Sequence, residues 1–187
     1  AVTGWTTNEL QEGINKAAPQ GPYQLVSLLI GVNNQYRGYK IGQYQREFAD
    51  LLAQAIAFAG GDISCFFGVS IPDYGVSPFG QKKASEQIDN EIRMYNALAS
   101  QQCAAAGIPF IDIFEVSKAA LQDPTMTASD HLHPSAKIYT LKVIYVGVNL
   151  LIFTNISNFC RHHSIFLLAC FILFIFKYKQ LKKLTSL

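Results

Sequence analysis

The chain has 187 residues, of which 50% are apolar and only 15% are charged, with a formal net charge of +2. This composition excludes a disordered or collagen-like chain and one that coats nucleic acid, and the length predicts one domain, with or without a tail. Residues 1–136 carry 13 acidic and 8 basic side chains, whereas residues 137–187 carry 7 basic and no acidic ones. A compositional boundary therefore lies near Ala136.

Alternating helices and strands are predicted along the chain. Thr6 and Glu9 have the spacing of a capping box, so a helix is expected from there to about Ala17. Further on, apolar runs between turn residues predict buried strands, and helical spacing of apolar residues predicts helices. In chain order these are a strand over 23–30, a helix over 43–58, a strand over 63–71, a helix over 83–106, a strand over 108–113, a short helix over 114–121 and another helix from Ser135.

This alternation predicts an α/β fold, in which a parallel sheet is covered by helices on both faces. In such folds the functional residues lie in the loops at the carboxyl ends of the strands. We therefore expect the chemistry in the loops after Ile30, Ile71 and Ile113. A nucleotide-binding fold of the same class is disfavoured, because no glycine-rich phosphate loop follows any predicted strand.

One candidate for chemistry is the pair Asp130 and His133 in the segment Ser-Asp-His-Leu-His-Pro. An aspartate can hold an imidazole in the tautomer of a general base and stabilise the imidazolium that forms. Pro134 favours the start of a helix and would fix the ring beside it. Taken alone, the same residues also fit a turn that caps a helix.

Two further candidates are hydrogen-bond donors. Asn33 follows the first predicted strand within Gly-Val-Asn-Asn, where its side chain can donate to a developing oxyanion. Gly4 precedes a helix, and its N–H can point at an anion. Each is also compatible with an ordinary turn when it is considered alone.

Taken together, the order of Gly4, Asn33, Asp130 and His133 resembles that of the SGNH (GDSL-type) hydrolases, a family of serine esterases that includes bacterial esterases and lysophospholipases. The segments LIGVNNQYRG and SDHLHPSAK are similar to the Asn and the final blocks of that family, and residues 71–76 (IPDYGV) resemble a phrase of its bacterial esterases. The resemblance covers roughly residues 1–140. It implies a three-layer α/β/α, flavodoxin-like sandwich that hydrolyses acyl or acetyl esters.

Carried over by position, the resemblance makes His133 the general base, Asp130 its orienting partner, and Gly4 and Asn33 the oxyanion donors. Asn34, Tyr36 and Tyr74 would contact the substrate, a small-molecule ester. The loop over 35–40, with its tyrosines and basic residues, fits either a substrate contact or a solvated loop. The mixed charge around it does not fit a nucleic-acid surface.

The nucleophile of the family belongs to a Gly-Asp-Ser phrase at the end of the first strand, ahead of the Gly block. The chain contains no such phrase. Ser27 is expected to be buried within a strand, Ser129 adjoins Asp130 too closely, and only Ser70 has a position from which it could face the cleft. We therefore expect a domain that lacks its first strand and its nucleophile, and a chain that is inactive by itself. The alternative is a remnant without catalysis, attached to a membrane or not, that binds a ligand or has no role.

No metal or organic cofactor is implied. Cys65, Cys103, Cys160 and Cys170 form no CxxC pair, which disfavours a zinc site. His162 and His163 are adjacent but have no third ligand near them in sequence.

The tail, residues 141–187, follows the domain over residues 1–140. It contains two apolar runs, 143–153 and 165–176, each shorter than the roughly 20 residues that span a bilayer. Three interpretations remain open: a membrane hairpin or anchor through 143–176, a packed helical region, or a sequence without a selected role. The loss of acidic residues and proline favours the last.

Overall fold

A computed structural model describes residue 2 and residues 4–153 of the chain. Seven helices and three strands lie within these residues, together with single 3₁₀ turns over 63–65, 118–121 and 124–126. In chain order they are α1 (Thr7–Ala17), β1 (Val26–Leu28), α2 (Val32–Tyr36), α3 (Ile41–Phe58), β2 (Phe66–Val69), α4 (Pro78–Gln81), α5 (Ser85–Ala105), β3 (Phe110–Ile111), α6 (Phe114–Ser117) and α7 (Ala136–Phe153).

The three strands form a parallel sheet in the order β1-β2-β3, as the alternation of helices and strands predicts. Val26 of β1 is opposite Phe66 of β2, and Gly68 of β2 is opposite Phe110 of β3. The connections run through helices α3 and α5, because parallel neighbours need a crossover. The carboxyl ends of all three strands therefore lie at one edge of the sheet.

Side chains of β2 alternate between two apolar clusters. Phe66 packs in the larger cluster with residues of α3 and α5, whereas Phe67 and Val69 belong to a smaller cluster. Val146 of α7 packs against that smaller cluster. Helices thus cover both faces of β2, and the described residues form the expected three-layer α/β/α arrangement.

The prediction that the first strand, β1, is buried on both faces is wrong. Leu28 is buried against the larger cluster, but Leu25 and Leu29, on the other face, are 38% and 45% exposed. The expectation that Ser27 is buried is wrong for the same reason, since it lies on this exposed face. An apolar run indicates that a strand is suited to a sheet interior, but whether a second layer covers it depends on elements distant in sequence.

The observed strands are shorter than the predicted runs, and two loops contain a short helix that the sequence pattern does not predict. Helix α2 lies within the predicted loop over 31–42, and α4 begins at the end of the loop over 72–80. Helix α1 begins as predicted, with the backbone N–H of Thr6 donating to Glu9 Oε2 at 2.8 Å. The other predicted helices are confirmed with small shifts of their ends.

Helix α7 runs without interruption through residue 140, where the predicted domain ends. None of the helices within the described residues is both long enough and apolar enough to cross a membrane. The second apolar run, 165–176, and the histidine pair at 162–163 lie outside the described residues.

Gly68 lies where β2 meets both α5 and β3, and it provides a test of this packing. A Cβ at Gly68 would lie 2.8 Å from Cys103 Sγ and 2.9 Å from Phe110 Cδ2. We expect Gly68→Ala to destabilise the chain by about 1–3 kcal/mol through overpacking, measured by urea unfolding.

The matched control is Gly42→Ala in α3, where the added Cβ has only Arg46 Nη1 within 4 Å, at 3.9 Å. That change is expected to stabilise the chain by about 0.4–1 kcal/mol, because alanine restricts the unfolded chain. Equal effects of the two substitutions would contradict the close approach at Gly68.

Candidate active site

Asp130 and His133 form a hydrogen-bonded pair in the loop before α7. His133 Nδ1 lies 2.6 Å from Asp130 Oδ2, and both side chains are about half exposed, at 54% and 50%. Asp130 Oδ1 accepts the backbone N–H groups of Leu132 at 3.0 Å and His133 at 2.9 Å. The carboxylate is therefore fixed by the backbone while its second oxygen orients the imidazole.

These contacts lower the pKa of Asp130 to about 2; the N–H of Leu132 has the largest effect, followed by the His133 ring. A carboxylate that accepts several N–H groups is stabilised in its charged form. Asp130 is therefore ionised at any pH at which an imidazole works as a base. With Nδ1 bonded to a carboxylate, Nε2 of His133 is left to exchange a proton with a ligand.

The loop that carries this pair depends on His131. Its backbone is left-handed, with φ of 60°, a conformation that costs a residue with a Cβ about 1–2 kcal/mol. The N–H of Phe79, in α4, donates to the carbonyl oxygen of His131 at 3.0 Å, and the N–H of Ala128 donates to that of His133 at 2.8 Å. Contacts from α4 and from the loop itself thus hold the turn.

Gly4 and Asn33, the predicted oxyanion donors, lie close together. Asn33 Nδ2 donates to the carbonyl oxygen of Trp5 at 3.1 Å, and Arg37 Nη2 donates to the carbonyl oxygen of Gly4 at 2.7 Å. Arg37 Nη1 also pairs with Glu9 at 3.0 Å, which ties the segment to α1. The Gly4 segment is therefore anchored to α2 and α1 by side chains.

Gly31 permits this arrangement at the end of β1. Its φ is 131°, and a Cβ there would lie 2.7 Å from the ring of Tyr44. The chain turns tightly at Gly31 and starts α2 at once, which places Asn33 in the first turn after the strand.

Asn34 lies in a different setting from Asn33. It is completely buried, its Oδ1 accepts the backbone N–H of Thr7 at 3.1 Å, and its Nδ2 donates to Thr7 Oγ1 at 2.6 Å. These bonds join α2 to the start of α1. The contacts of Asn34 thus hold these two helices together. Because Asn34 is completely buried, it has no exposed surface for the predicted contact with substrate.

Tyr36 and Tyr74, both predicted to contact substrate, lie edge to face with ring centroids 5.9 Å apart. Tyr36 is 50% exposed and also contacts Phe79, at 6.4 Å. The ammonium of Lys83 lies over both Tyr36 and Phe79, at 4.9 and 4.5 Å from the ring centroids. This aromatic cluster connects α2, which carries Asn33, with α4, which contacts the His133 loop.

Sequence reasoning missed Phe79 and Lys83, because their contacts with Tyr36 join segments far apart in the chain. The sequence analysis considered Arg37 only as a basic residue of the loop over 35–40, and it did not predict the bonds of Arg37 to Gly4 and Glu9. Phe79 and Lys83 lie in and after a short helix that the sequence pattern does not predict.

Ser70 does not face a cleft. It is completely buried, its hydroxyl donates to Asp112 Oδ1 at 2.7 Å, and it accepts the backbone N–H of Ile113 at 2.7 Å. The position after β2 that left Ser70 as a possible nucleophile is therefore closed, since its hydroxyl joins the ends of β2 and β3. Among the described residues, no three or more histidine, cysteine, aspartate or glutamate side chains cluster in a way that would hold a metal ion.

A sequence model of the GDSL-like lipase/acylhydrolase family matches residues 1–141. A search of curated proteins found no match.

Solved structures with the same fold include the acetylxylan esterase Axe2 from Geobacillus stearothermophilus, with a TM-score of 0.60 and 17% sequence identity. The enzyme LAE5, an α/β hydrolase from the metagenome of Lake Arreo, gives a TM-score of 0.57 at 17% identity. In both comparisons 79% of this chain aligns with 68% of the other. Catalytic mutants of Axe2 replace a serine, an aspartate and a histidine, the last two being three positions apart.

The anchoring of Asp130 predicts how its pKa responds to the loss of the imidazole. We expect the carboxyl carbon of Asp130, followed by NMR, to titrate near pH 2. In His133→Gln the midpoint is expected to rise but to stay below the ordinary value, because the two backbone N–H groups still donate. Because the folded pKa is lowered, the stability that Asp130 contributes is present above its unfolded pKa, near 4, and is lost as the pH falls toward 2. A return to the ordinary value in His133→Gln would show that the backbone bonds are absent.

The adjacent asparagines are predicted to differ in how strongly their truncation destabilises the chain. Asn34→Ala leaves the buried N–H of Thr7 without a partner and is expected to destabilise the chain by about 1–3 kcal/mol. Asn33→Ala removes one bond to Trp5 and is expected to cost about 1 kcal/mol or less. Thermal and urea unfolding of both variants measure the difference, and a larger loss at Asn33 would contradict this division of roles between the two side chains.

Proposed function

The chain belongs to the GDSL-like lipase/acylhydrolase family, and from that premise we propose that it carries the general base and the oxyanion donors of a serine ester hydrolase. The observation that carries this proposal is the Asp130–His133 pair, in which a backbone-anchored carboxylate lies 2.6 Å from Nδ1 of the imidazole. The same spacing of aspartate and histidine in the catalytic mutants of Axe2 supports it.

In the proposed reaction His133 Nε2 accepts the proton of a serine hydroxyl as the serine oxygen attacks the ester carbonyl carbon. The resulting oxyanion accepts hydrogen bonds from the Gly4 N–H and from Asn33 Nδ2. His133 then gives its proton to the departing alcohol, which leaves an acyl-serine. In the second half, His133 takes a proton from water, the hydroxide oxygen attacks the acyl carbon, and the serine regains its proton as the carboxylic acid leaves.

Asp130 acts through His133 in this scheme. Its carboxylate fixes the tautomer with the proton on Nδ1 and stabilises the imidazolium during both proton transfers. Asn33 has one amide hydrogen on the carbonyl of Trp5, so the other is available to an oxyanion. Two fixed donors of this kind contribute several kcal/mol to transition-state stabilisation, about 3–4 kcal/mol each at the upper end.

The serine nucleophile is proposed to lie outside these 187 residues. Two observations support this. Ser70 is buried, with its hydroxyl donating to Asp112 and accepting from Ile113, and β1 has an exposed apolar face and only β2 as a neighbour within the described sheet. Because β1 pairs on one side only within the described sheet, its other edge fits a sheet that continues past β1. In consequence the chain by itself is proposed to be inactive.

The proposed substrates are small acyl or acetyl esters. Tyr36 and Tyr74 provide an aromatic wall next to Asn33, and aromatic side chains pack well against the apolar faces of sugars and acyl groups. The name of Axe2 as an acetylxylan esterase supports an acetylated sugar as one member of the class.

The test begins with the transcript upstream of the codon for Ala1, where an in-frame Gly-Asp-Ser phrase on an apolar strand is expected. The chain extended by that segment should hydrolyse p-nitrophenyl acetate and be labelled by a fluorophosphonate, whereas the 187-residue chain should do neither. In the extended chain His133→Ala is expected to lower kcat about 10⁴–10⁶-fold, and Asp130→Asn about 10⁴-fold.

His131→Gly is the matched control, because it removes the neighbouring imidazole and suits the left-handed backbone at that position. Its activity should stay within a few-fold of the parent. If a fluorophosphonate labels the 187-residue chain and a serine substitution abolishes the labelling, the proposal that the chain lacks its nucleophile would be overturned. An extended chain that is neither labelled nor active, or an absent upstream phrase, would favour a remnant with a binding role or none.

A further inference from the structure

Lys142, in α7, is a buried lysine for which the proposed reaction has no use. Only 7% of the residue is exposed, and it makes no hydrogen bond or ion pair with any of the described residues. Other lysines nearby have partners: Lys118 pairs with Asp89 at 2.8 Å, and Lys137 pairs with Asp123. Removing an ammonium group from water costs several kcal/mol unless an anion compensates it.

The side chain of Lys142 reaches a small cavity of about 50 Å³. Ile138, one helical turn earlier, lines the same cavity, and so do His133, Ser117 and Thr127. One water molecule needs about 10–15 Å³ of cavity volume, so a cavity of this size holds a few waters or one small anion. A cationic side chain and the proposed general base are therefore both among the residues that line this cavity.

Three titratable groups besides Lys142 line this cavity: Asp73, Tyr74 and His133. Asp73 is 4% exposed, and its Oδ1 accepts the backbone N–H of Gly75 at 2.7 Å. It lies beyond ion-pair distance of Lys142. His133 Nδ1 is bonded to Asp130. No carboxylate among the described residues thus compensates the ammonium, which leaves room for a ligand to do so.

We propose that this cavity is a site for a small carboxylate of about the size of acetate, held by the Lys142 ammonium beside His133, and that its occupant is the acid released from the ester. The identity of the occupant rests on the proposed function, whereas the site itself rests on Lys142 and the cavity. The Ser117 and Thr127 hydroxyls are polar partners on the same walls. Retention of the released acid here slows the next turnover at high acid concentration.

The protonation of Lys142 links this site to pH. Burial lowers the pKa of Lys142 to about 8 in the empty cavity. Carboxylate binding requires the ammonium form, so acetate affinity is expected to fall as the pH rises above 8. Between pH 8 and about 10.5 the unfolded chain binds a proton that the folded chain lacks, so the empty chain gains stability as the pH rises. Bound acetate should reduce that gain.

The experiment uses the 187-residue chain and sodium acetate as the probe, at pH 6.5 and constant ionic strength maintained with sodium chloride. Binding is followed by the NMR shift of the lysine Nζ groups and by thermal unfolding. The wild type should show a saturable shift of one lysine and a higher Tm in acetate than in chloride. Butyrate, too large for the cavity, should bind at least tenfold more weakly.

Lys142→Met is expected to weaken acetate binding at least tenfold, whereas Lys137→Met removes the same charge from the exposed side of α7 and should bind like the wild type. Lys142→Gln serves as a second variant, and circular dichroism verifies that each is folded. If both Lys142 variants fail to fold, the wild type is tested alone. Acetate should then reduce the gain in stability between pH 8 and about 10.5, and an unchanged gain would overturn the site.

Equal binding of acetate by wild type and Lys142→Met, or equal effects of acetate and chloride, would overturn the site. Because the measurement needs no turnover, it separates the two proposals. Acetate binding together with an inactive, unlabelled extended chain would retain the site and remove the proposed function. An active extended chain that does not bind acetate would retain the proposed function and remove the acetate site.

Discussion

Burial of β2 on both faces is the constraint on which the other elements depend. Phe66 and Phe67 point into different clusters, so the strand requires α3 and α5 on one face and α7 on the other. The backbone just after the strand is also fixed. The side-chain amide of Asn96 accepts a hydrogen bond from the N–H of Ile71 at 2.8 Å and donates one to the carbonyl oxygen of Ile71 at 2.9 Å. Ser70 adds the bond to the N–H of Ile113. The loops that line the candidate site therefore begin from fixed backbone.

The two halves of the candidate site are built in different ways. The Asp130–His133 pair is local, because all three bonds to the carboxylate come from residues two and three positions away. The donor half needs segments about 30 residues apart, joined by Asn33 to Trp5 and by Arg37 to Gly4. Tyr36 and Phe79 connect the halves. Loss of packing between helices would thus disturb the oxyanion donors before it disturbs the base.

This difference also explains how far the sequence alone can predict the structure. Patterns within a short stretch, such as the Thr6–Glu9 capping box, the order of helices and strands, and the Asp130–His133 spacing, identified elements that the structure contains. The burial of Asn34, the exposure of Ser27 and the closed environment of Ser70 were beyond that reach. Each of these depends on which distant element covers a side chain, and hydrophobic periodicity does not encode that information. Lys142 shows the same limit, since no sequence pattern within an apolar helix predicts that a lysine is buried.

The unpaired edge of β1 in the described sheet affects how the chain is expected to behave in a cell. Within the described sheet, β1 pairs on one side only, and a free strand edge offers unpaired N–H and carbonyl groups beside the apolar side chains of Leu25 and Leu29. Such a surface pairs readily with other extended segments, including those of another copy. We therefore expect the 187-residue chain by itself to be prone to association through this edge and to proteolysis.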